Sequence, residues 1–435
     1  MRVTPPLRAL CAAGLAVGTL VVGGAPAHAV DTDCSSIRSD NTDVQTAERT
    51  GSPVQLMQVA EAQRIVTESG KEPGEGVVVA VLDSGVTDKN NDLMLVGPGP
   101  RFSRSEEVEP LEMQGTAVAG LIAAQGTDEM PIGIAPGAAI YDIRVYDRLS
   151  SDDPATESEP DAAALLAGLR HVASLDKGVV DVVNISLALR HSAELDAELD
   201  DVLADLAKKD VVVVAATGDR PEEADALYAE FGYEGEEPPH GEDARAVVWP
   251  ASDPHVLAVN ASATVLVEDE VVPGDAFDSV LRNSATDVAA PTQDAVSLAV
   301  DGKSTCRLPD VSTAWATAEV SGVVALLRSY YPEESAAQIV DRIKRSATGS
   351  PREVTTLTGH GVVQPLEALE RPLPGSHQGP GSRIVDKGNE RAEAPQPEPD
   401  VLAGIKSDAV WWGLLAGGAL VVAMLLRPVL ARRRG

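Results

Sequence analysis

The sequence predicts a three-layer α/β fold, a parallel central sheet flanked by helices, followed by one C-terminal transmembrane helix. Three observations carry this. Apolar runs of strand length alternate with helix-length segments from about residue 75 to 347, the order expected of a parallel sheet with helices on both faces. The segment from Ala314 to Leu327 combines small residues with Val320, Val323, Val324, Leu326 and Leu327 and carries no charge after Glu319, so this helix is expected at the centre of the molecule. Ala409 to Leu426 is uncharged and apolar, and about 18 residues at 1.5 Å each span roughly 27 Å, enough for a bilayer core.

Taken in order, Arg2 and Arg8 precede an apolar stretch from Leu10 to Gly24 and then Ala27-His28-Ala29, which reads as a secretory signal peptide over 1–29. An N-terminal extension over 30–54 follows. Val77 to Leu82 forms a continuous apolar run that ends in Asp83, the pattern of a central strand delivering a carboxylate at its C-terminal edge. Gln114 opens a helix of small residues, and Ala139 to Val145 is a strand. Asp161 to Leu175 makes an amphipathic helix through Leu165, Leu166, Leu169 and Val172, with His171 on its solvent side. Val179 to Leu187 and Asp210 to Asp219 are further strands, with a helix from Leu195 to Lys208 between them. His255 to Asn260 is a strand, and Ser335 to Ala347 a helix. Ser312 is placed to cap the central helix.

Past residue 371 the composition turns to Pro, Gly, Glu and Ser, a flexible tether over 372–408 that buries no core. The apolar helix over 409–426 follows, entered by Trp411 and Trp412 and closed by Arg427, Arg432, Arg433 and Arg434. The arginines place the basic tail over 427–435 in the cytoplasm and the folded domain outside, a single-pass protein of the cell membrane. A buried core helix is the competing reading of this stretch.

Three blocks, in order, carry a family resemblance: Asp83-Ser84-Gly85, Gln114-Gly115-Thr116-Ala117, and Ser312-Thr313-Ala314 with Val320-Ser321-Gly322. They resemble the active-site blocks of subtilisin-like serine proteases over roughly residues 55 to 371. With the signal peptide, tether and anchor, the chain resembles the mycosins, the membrane-anchored members associated with actinobacterial type VII secretion. Gly133-Ile134-Ala135-Pro136, Trp249-Pro250-Ala251 and Asp287-Val288-Ala289-Ala290-Pro291 extend the likeness.

The resemblance implies a subtilisin-like fold and a catalytic triad, of which only Asp83 stands. Gln114 occupies the position of the histidine, Ala314 that of the nucleophilic serine, and Asp219 that of the asparagine that donates to the oxyanion. Ala314 has no nucleophilic atom, the Gln114 amide cannot exchange a proton near neutral pH, and Asp219 sets a carboxylate where negative charge must develop. The expectation is a pseudoprotease that scaffolds type VII secretion membrane components. The alternatives are a cleft that holds secreted-substrate peptides along Ser186, Leu187 and Ala188 by strand addition, and a residual hydrolase. The Gln114 amide is expected to pair with Asp83, with nearby backbone as the competing partner. None of His171, His191, His240, His255 or His360 lies near Gln114 in sequence.

Net charge is −32, with acids grouped in loops such as Ser151 to Glu159 and Glu222 to Asp243. That excludes a phosphate-binding footprint, so no nucleic acid is expected. A solvated acidic surface explains the loops; a calcium site is conceivable, but no EF-hand pattern occurs and neither metal nor cofactor is expected. Cys11 leaves with the signal, and Cys34 and Cys306 then remain in an oxidising compartment, either as one disulfide or as two unpaired thiols.

Overall fold

The computed structural model describes residues 32–372, except 91, 127–129, 224, 226, 234–237, 240, 268–269, 275 and 350–352, and then residues 403–431. The expected signal peptide, most of the tether and the last four residues of the basic tail therefore lie outside the described residues. The chain divides into two compact units, Met1–Ser382 and Arg383–Gly435.

In the first unit the strands are β1 (Val78–Asp83), β2 (Met94–Leu95), β3 (Ala139–Arg144), β4 (Val182–Ile185), β5 (Leu189–Arg190), β6 (Val212–Ala216), β7 (Val248–Trp249), β8 (Val256–Val267), β9 (Glu270–Gly274), β10 (Val288–Pro291), β11 (Ala295–Leu298) and β12 (Thr305–Leu308). Its helices are α1 (Ser52–Leu56), α2 (Val59–Glu68), α3 (Gln114–Ala123), α4 (Ala162–Ser174), α5 (Asp196–Lys208), α6 (Tyr228–Phe231), α7 (Thr313–Tyr330), α8 (Ala336–Ser346) and α9 (Pro365–Glu370). The main sheet runs β10-β8-β6-β4-β1-β3-β2, every pair along it parallel, and β9 folds back antiparallel on β8.

Side chains alternate across the strands, and the alternation divides the core in two. Val79, Val81, Val182, Val212 and Val214 point to the side of α3 and α7, whereas Ala80, Leu82, Val183, Ile185, Val213 and Ala215 point to that of α4 and α5. Both faces of the central strands are thus covered, which explains their unbroken apolar runs.

Helix α7 is buried along nearly its whole length. Its small residues admit close neighbours: a Cβ on Gly322 would come within 2.8 Å of the Ile134 side chain. Burial of Val320, Val323, Val324, Leu326 and Leu327 stabilises this packing by roughly 1.5–3 kcal/mol per side chain. Ser312 caps the helix, its Oγ accepting from Ala314 N at 3.1 Å. Helix α8 begins with a capping box between Ser335 and Gln338. Its buried Arg342 pairs with Glu334, stacks over Tyr331 at 3.9 Å and donates to the Ala368 carbonyl, which fastens α9.

Several elements differ from the sequence reading. The hairpin β11–β12, antiparallel with Ala295 opposite Leu308, carries the N-terminal extension, because Arg307 N donates to Thr32 O and Thr305 N to Gln45 O. Of the two sequence readings of Cys34 and Cys306, the disulfide is the one present, Cα to Cα 4.9 Å. His171 is not on the solvent side: it is half-buried, 2.8 Å from the Tyr141 hydroxyl and beside the Phe102 ring. An imidazole, unlike a lysine, is apolar enough to fill the seam between α4 and β3.

The second unit is helix α10 (Ala403–Ala431). It starts inside the stretch expected as tether and runs into that expected as tail, since Ala403 to Asp408 holds no helix breaker but Gly404. Val410–Arg427 is long and apolar enough to cross a membrane, and Trp411, Trp412, Leu414 and Leu425 lie uncovered along it.

Candidate functional site

The C-terminal edge of the parallel sheet gathers the candidate residues, as expected where βα connections leave such a sheet. Asp83 ends β1, Gln114 opens α3, Ser186 follows β4, Asp219 follows β6, and Ala314 lies in the first turn of α7. Close backbone approach sets the first two against each other. A Cβ on Gly115 would fall 2.4 Å from Gly85 O, so only glycine lets α3 start this near the turn after β1.

Asp83 is fully buried and fully engaged. Its Oδ1 accepts from Ser84 N at 2.7 Å and from the Tyr146 hydroxyl at 2.8 Å, and its Oδ2 accepts from Gln114 Nε2 at 3.3 Å. Both partners weighed from sequence, the Gln114 amide and nearby backbone, are present together. Burial pushes the carboxyl up to about 6, against the pull of the hydrogen bonds from Ser84, Tyr146 and Gln114. On the neighbouring strand, burial pushes Asp142 up to about 7, and its carboxylate accepts from Val86 N. Tyr146 is held well above the usual phenol range, first by burial and then by the Asp83 charge.

Gln114 reaches in two directions. Its Nε2 also donates to Ser186 O at 3.1 Å, and the Ser186 hydroxyl in turn donates to Ala314 O at 3.1 Å. Asn184 Nδ2 donates to Ser186 Oγ at 2.8 Å, and Ser321 Oγ to Asn184 Oδ1 at 2.9 Å. One hydrogen-bonded chain therefore runs from Asp83 through Gln114 and Ser186 to α7.

Asp219 sits behind Gly218, whose φ of +111° is a conformation that L side chains rarely adopt. From there its carboxylate clamps the start of α7: Oδ1 accepts from Thr313 N at 2.6 Å and Thr313 Oγ1 at 2.7 Å, and Oδ2 accepts from Ser312 Oγ at 2.6 Å. A carboxylate on the orphan N–H groups of a helix start is favourable both as a cap and against the macrodipole. Burial raises its pKa, with Ser312 and Thr313 opposing. Since Ala314 N donates to Ser312 Oγ, the N–H groups of residues 313 and 314 are both committed within the protein.

At Ala314 the cleft presents a methyl group and at Gln114 an amide. Three of the described histidines have their rings engaged elsewhere: His171 with Tyr141, His191 with Asp196 and Ser252, and His255 with Asp253. Leu187 and Ala188, in the segment between β4 and β5 that follows Ser186, make no backbone hydrogen bond among the described residues. Sequence reading missed Tyr146 and gave Asn184 and Ser321 no role of their own. Asn184 and Ser321 are polar side chains inside largely apolar segments, the signal that marks a buried hydrogen-bonding role, whereas Tyr146 stands among Arg144, Asp147 and Arg148 and gives no such signal.

The profile of the Subtilase family matches residues 74–362, a span that includes Asp83, Gln114, Asp219 and Ala314. Among curated relatives, Mycosin-3 of Mycobacterium tuberculosis (strain ATCC 25618 / H37Rv) is 28% identical, over 82% of this chain and 81% of its own. Two solved structures are similar. The MycP3 protease from the type VII (ESX-3) secretion system is 25% identical with TM-score 0.57, over 79% of this chain and 92% of that one. A chain of an intact ESX-5 inner membrane complex is 26% identical with TM-score 0.56, over 89% and 92%. With the profile matched over more than half of its length, and with mycosins among its relatives, the chain belongs to the subtilase family.

Proposed function

We propose that this chain is a membrane-anchored, catalytically silent subtilase that supports a type VII secretion membrane complex as an extracytoplasmic scaffold. The observation that carries the silence is the cleft itself: a methyl at Ala314, an amide at Gln114, and an Asp219 carboxylate locked onto α7. Without a nucleophile or base no acyl-enzyme forms. With the N–H groups of 313 and 314 engaged and a carboxylate beside them, no donor pair awaits an oxyanion. What supports the partnership is the likeness to a chain solved within an ESX-5 inner membrane complex, over most of both chains. The apolar stretch Val410–Arg427 supplies an anchor, and Arg427 with the arginines after it favours a cytoplasmic C-terminus.

Deletion of the gene tests this. Secretion through the cognate channel and recovery of the membrane complex are expected to fall, and the unaltered chain to restore both. Normal complex recovery and secretion in the deletion strain would overturn the scaffold reading.

A second reading has one observation in its favour, the backbone of Leu187 and Ala188 without a hydrogen bond among the described residues. An extended peptide could pair with that backbone and be held uncut. Calorimetry with secreted-substrate peptides tests it, and absence of heat at high micromolar peptide contradicts it.

A further inference from the structure

We propose that the segment Leu187–Ala188 takes a peptide only with glycine opposite Ala188, because Leu281 fills the recess into which any larger side chain there would point. The proposal rests on the second reading above, an extended peptide held uncut, and names which peptide that is.

Strands β4 and β6 are parallel neighbours, and the segments that leave them, Leu187–Ala188 and Gly218–Asp219, run beside each other at the C-terminal edge of the sheet. Such edges are where an open α/β sheet takes its ligands, so a recess between the two segments is the natural seat for a side chain. Here the seat is taken from within. A Cβ on Gly218 would lie 3.0 Å from Leu281 Cδ1 and 3.4 Å from Ala188 Cβ, so the side that the glycine leaves open has no room for even one further methyl group.

Leu281 is firmly held in that place. Its side chain is completely buried in one apolar cluster with Leu227, Phe231, Ala244 and Val248, and Ala188 packs against the same cluster. Both of its backbone groups are bonded: Leu281 N donates to Gly218 O at 2.9 Å, and Leu281 O accepts from Asn260 Nδ2 at 3.0 Å. The residues before it hang on Arg220, whose Nη2 donates to Phe277 O at 2.8 Å and to Val280 O at 3.0 Å while its guanidinium pairs with Glu242. Turning Leu281 out of the recess would break this packing, so closure belongs to the resting fold.

The ladder geometry then decides which peptide fits. Residues directly opposite in a β-ladder share a face, with Cβ atoms about 4.5–5.5 Å apart. Ala188 Cβ lies on the side of Leu281 and Gly218, so the peptide residue opposite Ala188 projects on that side too. A phenylalanine there runs into Leu281, whereas a glycine brings no side chain to place. The residues next to it in the peptide point to the other face and are free of this limit.

Calorimetry on the full-length chain in detergent tests the proposal with two capped peptides, acetyl-Thr-Val-Gly-Val-Thr-amide and acetyl-Thr-Val-Phe-Val-Thr-amide. Their β-branched residues keep a shifted register from setting a small side chain opposite Ala188. The unaltered chain is expected to bind the glycine peptide about tenfold or more tightly than the phenylalanine peptide, the usual penalty for overfilling a packed site. Leu281→Ala vacates the recess and is expected to reverse that order. Its melting curve checks that it is folded at the assay temperature, and the comparison on the unaltered chain stands without it. Equal affinities for the two peptides on the unaltered chain overturn the selectivity and leave the peptide-holding reading in place. An unreversed order in folded Leu281→Ala overturns the part given to Leu281. No heat from the glycine peptide at high micromolar concentration removes the peptide-holding reading and the selectivity with it.

Discussion

Helix α7 treats two acids in opposite ways. At its N-terminus the Asp219 carboxylate accepts hydrogen bonds from Ser312, from the Thr313 backbone and from the Thr313 hydroxyl. Fewer than two turns further along, Glu319 is fully buried and neither of its carboxyl oxygens has a partner among the described residues. Burial alone raises its pKa well above the ordinary glutamate value. The difference teaches what has happened to the cleft. Its replacements are tied into the surrounding protein, Asp219 onto the helix start and Gln114 between Asp83 and Ser186, so they are structural parts in their own right. Glu319 has no such tie among the described residues.

The contrast breaks first at Asp219. Asp219→Ala leaves a backbone N–H and two hydroxyls at the start of α7 without their acceptor, and is expected to destabilise the domain by about 2–4 kcal/mol in denaturant unfolding. A loss below the error of such a measurement would mean that the clamp is idle.

Glu319→Met is expected to act in the opposite direction, raising stability by on the order of 1–3 kcal/mol near neutral pH, because an unpaired carboxyl gives way to an apolar chain of similar length. The sign of the pH dependence follows from the direction of the shift. The folded state holds this proton more tightly than the unfolded chain, so stability falls as pH rises from about 4.5 towards the raised folded value, and Glu319→Met flattens that slope. Asp83, pushed up to about 6, adds a slope of the same sign between about pH 4 and 6. Unfolding curves at a series of pH values read both; a slope unchanged in Glu319→Met contradicts the assignment of this proton.

The smallest effect belongs to Gln114→Leu. It removes one donor from Asp83 and one from Ser186 O, while Ser84 N and Tyr146 still hold the carboxylate, so a loss of about 1 kcal/mol is expected. Denaturant midpoints resolve that difference, and a gain in stability would show that the amide bridge is not favourable.

Much of the fold was legible because period and length speak plainly in a doubly covered sheet. The runs leading to Asp83, Leu187 and Asp219 hold the strands β1, β4 and β6, and Ser312, read as a cap, stands at the start of α7. The hairpin β11–β12 was not legible. Its strands of four residues each are too short for alternation to stand out, and only the disulfide and the extension lying along β12 make it a structural element. At the site, identities were readable and roles were not. That position 219 is an acid is plain from the chain; that this acid turns to Thr313 and Ser312 depends on Gly218 and on where β6 ends relative to α7. Tyr146, about sixty residues from Asp83 in sequence, meets it only because β1 and β3 are neighbours.

The clamp also sets what reversion requires. Gln114→His with Ala314→Ser restores the base and nucleophile but leaves Asp219 on the helix start. Adding Asp219→Asn is expected to raise any recovered turnover by about 100-fold or more, the usual weight of one oxyanion donor. Equal rates for the double and triple variants would contradict a separate blocking role for Asp219.

The most direct measurement is casein digestion by the purified full-length chain, beside an Asp83→Ala preparation made the same way. Peptide release no greater than from buffer alone, in both samples, is the expected result. Release by the unaltered chain that disappears with Asp83→Ala would contradict a silent cleft.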